Sequence, residues 1–336
     1  MNSFGRLFRI SIFGESHGES VGILVDGVPA GIPLRISDFK DDFTRRRSGA
    51  KGTTPRKEAD IPSLMSGIFN DYTTGAPILI QFENSNTRSR DYTKLRETPR
   101  PGHADYTAFR KFGGYEDFRG GGHFSGRLTL GLVAAGVIAK KIIDPVKVQG
   151  TILEVGGETD IEKAIDKAIE EKESIGGIIE CRIENVPQSL GEPFFDSIES
   201  VMSHIVFAIP AIKGVEFGSG FKAASMKGSE HNDNIISKEG KTETNFAGGI
   251  NGGITNGNEI IFRVAVKPTS STHQSQKTLN FKSGEIEELS IEGRHDTCIA
   301  LRVPVVVEAA ASIVMADFML QSQNRERVIN PKKTIY

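Results

Sequence analysis

The chemistry open to this chain starts at Phe13-Gly14-Glu15-Ser16-His17-Gly18. Histidine is the side chain whose ordinary pKa lies nearest neutrality, so His17 suits proton transfer. Ser16 projects beside it. Gly14 and Gly18 allow a tight loop and the close approach of a ligand. A hairpin turn with a surface histidine is the plainer alternative. A second histidine stands in Arg100-Pro101-Gly102-His103-Ala104-Asp105-Tyr106. Asp105 either orients His103 or caps the helix expected from about residue 106. A third loop, Arg119-Gly120-Gly121-Gly122-His123-Phe124-Ser125-Gly126-Arg127, leads into an apolar helix. A glycine loop at a helix N-terminus offers free N–H groups and the helix dipole to an anion. Its spacing matches neither a Walker loop nor a dinucleotide fingerprint.

Cations gather in the same parts of the chain. Residues 44–57 hold six basic residues and no acidic one, beginning with Arg45 and Arg46. Arginine forks match phosphate and carboxylate oxygens two at a time, so this reads as an anion-binding arm; a solvated loop is the alternative. A second basic stretch runs from residue 86 to residue 96. Lys267-Pro268-Thr269-Ser270-Ser271-Thr272 sets a cation ahead of hydroxyls at a strand end, and residues 246–254 are too glycine-rich for a stable helix, which suits backbone laid against a flat ligand. In Gly293-Arg294-His295-Asp296-Thr297-Cys298, Arg294 and Asp296 form either a surface pair of little worth or an anion clamp beside a base.

The elements that must hold these loops are legible from periodicity. Residues 7–12 and 21–25 read as strands on either side of His17, the second ending at the turn Asp26-Gly27. A short helix over 36–43 is expected with Ser37 as its cap. Residues 64–82 alternate like strands about a turn at Thr74-Gly75. The helix over 128–143 is apolar nearly all round, which predicts burial. Then come a strand (146–155), an amphipathic helix (160–172), a strand (176–186), a helix (196–209), a strand (259–266) and a long apolar helix (304–321). No linker or low-complexity segment divides them. This order predicts one layered α+β domain over residues 1–336, ending in a tail.

The 41 Lys and Arg against 43 Asp and Glu leave a net charge of −2, so no global basic field favours nucleic acid and any anion site is local. No apolar run approaching a membrane span is evident, and the start lacks a signal-peptide pattern. Cys181 and Cys298 make no disulfide framework, and the seven histidines show no metal-ligand spacing. A reducing cytoplasm and no metal are therefore expected.

Taken together, the stretches resemble the chorismate synthase family from residue 8 to about residue 320. The motifs are GESHGESVGILVDGVP at 14–29, RPGHADY at 100–106, AGGINGGI at 247–254, KPTSS at 267–271 and GRHDTC at 293–298, in the family's order and spacing. The resemblance implies conversion of 5-enolpyruvylshikimate 3-phosphate to chorismate by anti-1,4-elimination of phosphate and a ring hydrogen. It implies a requirement for reduced FMN without net redox change, with NADPH entering only if a flavin reductase activity accompanies the lyase. It also implies a β–α–α–β sandwich, with central helices between antiparallel sheets, assembled as a homotetramer with no nucleic-acid or membrane partner.

Residue by residue, His17 then resembles the acid that supports the reduced flavin. His103 resembles the histidine near the departing phosphate. Asp296 resembles the carboxylate that works in removing the ring proton. Ser16, Arg45, Arg46, Arg100, Arg127 and Arg294 match the substrate site. The flavin-contacting stretches match His123, Phe124, Ser125, Ala211, Gly252, Lys267, Pro268, Thr269, Ser270 and Ser271, together with Arg294. Four residues depart from the common family pattern. His123 and Phe124 stand where an arginine and a serine are usual, Pro210 where an asparagine is usual, and Lys51 where an arginine is common. Two other functions remain open at this point: a flavin oxidoreductase using the same pocket, and an RNA- or polyanion-binding module built on residues 45–47.

Overall fold

The computed structural model of the chain describes residues 2–54, 58–85, 94–291 and 295–323. Alternating apolar side chains build two antiparallel sheets. The first runs in the order Ser3–Phe4, Arg9–Gly14, Ser20–Asp26, Ile78–Glu83 and Ser63–Leu64. Its inward residues include Ile10, Val21, Ile23, Val25, Ile78, Ile80 and Phe82, all essentially buried. The second runs Ile212–Phe217, Ile260–Val266, Gly177–Glu184 and Lys147–Val155. Along Ile260–Val266 every second residue is buried, as a strand with one covered face requires.

Two helices carry the core. Thr129–Ile142 is buried on all sides over its first eleven residues, Thr129 to Ala139. Pro304–Gln323 is buried from Val305 to Phe318. Close packing between them depends on small residues. A Cβ added to Gly131 would stand 3.2 Å from the Cβ of Ile23 in the first sheet, and one on Gly136 would stand 2.4 Å from the Cβ of Ala309. One on Gly150 of the second sheet would meet the Pro304 carbonyl oxygen at 2.9 Å. The second helix also holds two buried carboxylates. Asp317 accepts the backbone N–H groups of Arg6, Leu7 and Phe8. Glu308 accepts from the Gly150 N–H at 2.8 Å and from Arg45.

Several sequence expectations need correction. Pro304–Gln323 is long and apolar enough to cross a membrane by composition, contrary to the expectation that no such run exists; 78% of its apolar window is buried inside the protein, so core packing accounts for its character. The region 36–46 is a 3-10 turn (Ile36–Phe39) running into the helix Lys40–Arg46. Its start is held by the Asp38 carboxylate on the Arg35 N–H at 2.9 Å, not by Ser37. Before Ile78–Glu83 the chain bends at Gly75, φ 86°, and a further hairpin, not expected from the sequence, turns at Asn70-Asp71, both at positive φ. Asn and Asp tolerate that conformation, which two-residue hairpin turns require.

The helix contact makes a stability prediction. Gly136→Val has no room beside Ala309, so it should lower unfolding free energy by about 1–3 kcal/mol. Denaturant unfolding measures this, and wild-type stability in the variant would contradict the packing.

Candidate active site

The hairpin joining Arg9–Gly14 to Ser20–Asp26 ends in the loop that carries Ser16 and His17. Both side chains are buried, at 1% and 6% exposure. The Ser16 N–H donates to the Gly122 carbonyl at 3.1 Å, which lays the loop against the glycine run. Gly120, Gly121 and Gly122 all take left-handed φ values of 61°, 80° and 53°. A Cβ on Gly120 would stand 2.0 Å from His17 Nδ1, and one on Gly121 would stand 3.4 Å from His103 Cε1. The two histidines therefore rest against adjacent glycines.

His103 is fixed from behind. Its Nδ1 lies 2.6 Å from Asp105 Oδ1, and Arg100 Nη2 reaches the same carboxylate oxygen at 2.8 Å. Arg100 Nε bonds Asp105 Oδ2 at 2.7 Å and its Nη1 donates to Ser271 Oγ at 3.1 Å. The open choice for Asp105 is thus resolved towards orienting His103; the helix Asp105–Phe112 begins without a side-chain cap. Burial alone would raise the Asp105 pKa, but hydrogen bonds from Arg100 and His103 hold it well below the ordinary carboxylate range. Lys267 donates to Gly102 O at 3.0 Å and Ser270 Oγ at 2.7 Å, joining the 267–271 loop to the His103 loop. Burial, then the nearby Lys213, lowers the Lys267 pKa.

The arginines form the other wall. Arg46 donates to Thr129 Oγ1 at 3.1 Å and to the carbonyls of Gly126 and Arg127 at 3.0 and 3.2 Å. Arg127 is paired with Asp60 and bonded to Asn84 Oδ1 at 3.1 Å. Arg302 links Arg46 O, at 2.8 Å, to Asp296, at 3.4 Å. Asp296 also accepts the Thr54 N–H at 2.9 Å. Burial, with Arg302 and Arg127 nearby, pushes the Arg46 guanidinium down to about 9, against the opposing attraction of Asp60 and Asp296. The contacts close into a circuit. Thr297 O accepts from Ile175 N at 2.9 Å, and Ser174 Oγ donates to Thr269 O at 2.7 Å.

Not every expected residue lies on this circuit. Arg45 turns the other way, in a two-pronged pair with buried Glu308 at 2.6 and 2.7 Å. This corrects its grouping with Arg46: on a helix, adjacent residues face different sides. Of residues 45–47, Arg46 is buried while Arg45 and Arg47 are exposed. Gly252 sits in the hairpin turn Ile250–Thr255, beyond the opposite end of Ile260–Val266 from Lys267. Phe124 is 41% exposed, with its ring 6.3 Å from Phe112, and His123 uses Nδ1 on the Gly14 carbonyl at 2.8 Å. Ser125 caps the next turn by accepting from the Arg127 N–H at 3.2 Å. Ala211, at φ 74°, accepts the Lys267 N–H at 2.9 Å. Pro268 follows Lys267 in the loop. Arg294 lies outside the described residues, as does much of the second basic stretch. Sequence reasoning missed Asp60, Asn84 and Arg302. Asp60 has left-handed backbone at φ 51°, which no short motif signals.

Two buried hydroxyls, Ser16 Oγ and Thr269 Oγ1, have no hydrogen-bond partner among the described residues. Such atoms are costly unless a ligand serves them. A groove walled by Tyr106, Phe109, Phe118 and Phe281 also takes in His103 and Gly121. No cluster able to hold a metal occurs among the described residues.

Histidines, hydroxyls and buried arginines are side chains suited to proton transfer and to holding an anion. The model for the chorismate synthase family matches residues 8–320. A chorismate synthase of Chitinophaga pinensis is 66% identical over 329 residues, covering 98% of this chain and 99% of its own. One of Methanocaldococcus jannaschii is 41% identical over 366 residues, covering 96% and 97%. A crystal structure of chorismate synthase superposes with a TM-score of 0.72 at 27% identity, covering 95% of this chain and 93% of that one. The chain belongs to the chorismate synthase family.

The Asp105 environment gives a pH prediction. A carboxyl whose pKa is depressed on folding contributes stability in full above about pH 4 and loses it as pH falls further. Asp105→Asn should therefore flatten the fall in unfolding free energy between about pH 5 and pH 2 in urea titrations. Equal slopes for variant and wild type would contradict this.

Proposed function

We propose that this chain converts 5-enolpyruvylshikimate 3-phosphate to chorismate and phosphate by anti-1,4-elimination, as a lyase of the shikimate pathway with reduced FMN as cofactor. The observation that carries the reading is the closed circuit joining His17, His103, Lys267, Asp296, Arg46 and Arg127 through named contacts. A substrate with one phosphate and two carboxylates needs several cations in one place, and Arg46, Arg100, Arg127 and Lys267 supply them.

The residues present fit a flavin. Ser16 Oγ and Thr269 Oγ1 are orphaned polar atoms, and nothing lies within 4 Å of a Cβ built on Gly252. Lys267 to Ser271, Ser125 and Ala211 are the residues that would hold it in this subunit. Gly252, at the far end of its strand, fits the same role less directly, and His123 contributes through its free ring edge rather than through Nδ1. Reduced FMN, when bound, supplies the electron-rich partner that eases phosphate departure.

This chain's own residues account for the remainder. His17, buried beside Ser16, holds or gives a proton at an imidazole nitrogen. His103, ordered by Asp105 and Arg100, donates to a departing phosphate oxygen. Asp296, held by Arg302 and the Thr54 N–H, takes part in removing the ring proton. The arginines bind and orient, and burial of the cluster excludes water, which strengthens each charge contact. Arg294 belongs to this reading through its motif alone.

The same reading takes the fold as one domain forming a β–α–α–β sandwich. The contacts of Gly131 with the first sheet, Gly136 with Ala309, and Gly150 with Pro304 support it. A homotetramer located in the cytoplasm completes it, with both cysteines free and buried; NADPH has a place only if flavin reductase activity accompanies the lyase.

An anaerobic assay for chorismate with chemically reduced FMN tests the activity. Product should form with reduced FMN and fail to form with the oxidised cofactor. Formation in rigorously oxidised samples would overturn the cofactor assignment. His17→Ala and Asp296→Asn should each lower kcat by about 10²–10⁴-fold with substrate affinity largely kept. A full rate in either variant removes that residue from proton transfer.

A further inference from the structure

Asn84 follows the strand Ile78–Glu83 and belongs to none of the motifs above. Glu83 pairs in register with Ser20, so the chain leaves the sheet beside the loop carrying Ser16 and His17. There the Asn84 N–H donates to Glu19 O at 3.0 Å. Its side-chain Nδ2 donates to Glu15 O at 3.0 Å and to Gly18 O at 2.9 Å. Its Oδ1 accepts from Arg127 Nε at 3.1 Å. The carbonyls can only accept and the guanidinium can only donate, so these partners allow a single orientation of the amide.

Glu15 and Gly18 bracket Ser16 and His17. One amide therefore grips both ends of the segment bearing the histidine, while its oxygen fixes an arginine of the anion wall. We propose that Asn84 is a positioning residue for the reaction, setting His17 and Arg127 in a common frame. It acts through those two side chains, and the proposal rests on their roles in the function proposed above. The chemistry demands an amide of this length. An aspartate keeps the acceptor for Arg127 but loses both donors to the loop. An alanine loses all three contacts. A glutamine moves the same groups outward by one methylene.

Anaerobic kinetics with reduced FMN on Asn84→Ala, His17→Ala and the double variant test the coupling, with substrate affinity measured separately by calorimetry. Asn84→Ala should lower kcat by about 10²-fold, the scale of a misplaced catalytic group. In the His17→Ala background the same change should cost less than about threefold, because the group it positions is gone. Affinity should weaken in Asn84→Ala and stay near wild type in Asn84→Asp, although both lose kcat. A merely structural role would not produce that split. If Asn84→Ala fails to fold, Asn84→Asp replaces it in the cycle. Losses that multiply in the double variant, or wild-type kcat in Asn84→Asp, overturn the positioning role alone. A full rate in His17→Ala refutes the underlying assignment of His17, and the proposal with it.

Discussion

The passage of the backbone through Gly120, Gly121 and Gly122 is the constraint on which the site depends. Three successive residues at left-handed φ would cost an ordinary chain about 1–2 kcal/mol each, and here the cost would be compounded by contact. The first glycine faces the His17 ring, the second faces His103, and the carbonyl of the third accepts the Ser16 N–H. A side chain at Gly120 would occupy the space of the His17 imidazole, one at Gly121 would touch the His103 ring at 3.4 Å, and one at Gly122 would strike the Asp117 carbonyl. The run is thus less a flexible hinge than a narrow partition, thin enough for a histidine on either of two distant loops to lean against it.

On the other wall the governing quantity is charge. Arg46, Arg127 and Arg302 are drawn together around Asp60 and Asp296, one carboxylate short of neutrality. Buried charge is expensive unless paired, and part of the stabilisation here comes from backbone carbonyls and the Thr129 hydroxyl. An anion at this wall would offset the excess positive charge, as the proposed substrate-binding role requires. The neighbouring ion cluster of Arg45, Lys140, Asp42 and Glu308 serves a different end, tying the helix Lys40–Arg46 to the two core helices. Adjacent arginines in one basic run therefore turn to different partners, Arg45 to Glu308 and Arg46 to Asp60.

The sequence made the strands around His17, the buried helix at Thr129–Ile142 and the order of the loops legible, because periodicity and glycine placement are local properties. The same is true of His103 with Asp105, two residues apart. What stayed hidden was long-range. Nothing near Arg45 reveals Glu308, and nothing near Asn84 reveals that Glu15, Gly18 and Arg127 converge on it. The turn at Asn70-Asp71 stayed hidden because it holds no glycine, the stronger turn signal, although Asn and Asp also accept positive φ. Resemblance to a family supplied roles for residues, but it could not show that Gly252 lies beyond the far end of a strand from Lys267.

Gly120→Ala tests the central claim, that the glycine run sets the histidine against the site. A single methyl would stand 2.0 Å from His17 Nδ1 and 3.0 Å from Ser16 Oγ, while leaving the arginine wall untouched. Turnover with reduced FMN and calorimetric substrate affinity should be measured on the folded variant. The account predicts a kcat lower by at least about 10²-fold with affinity within a few-fold of wild type. Wild-type turnover in Gly120→Ala would contradict it.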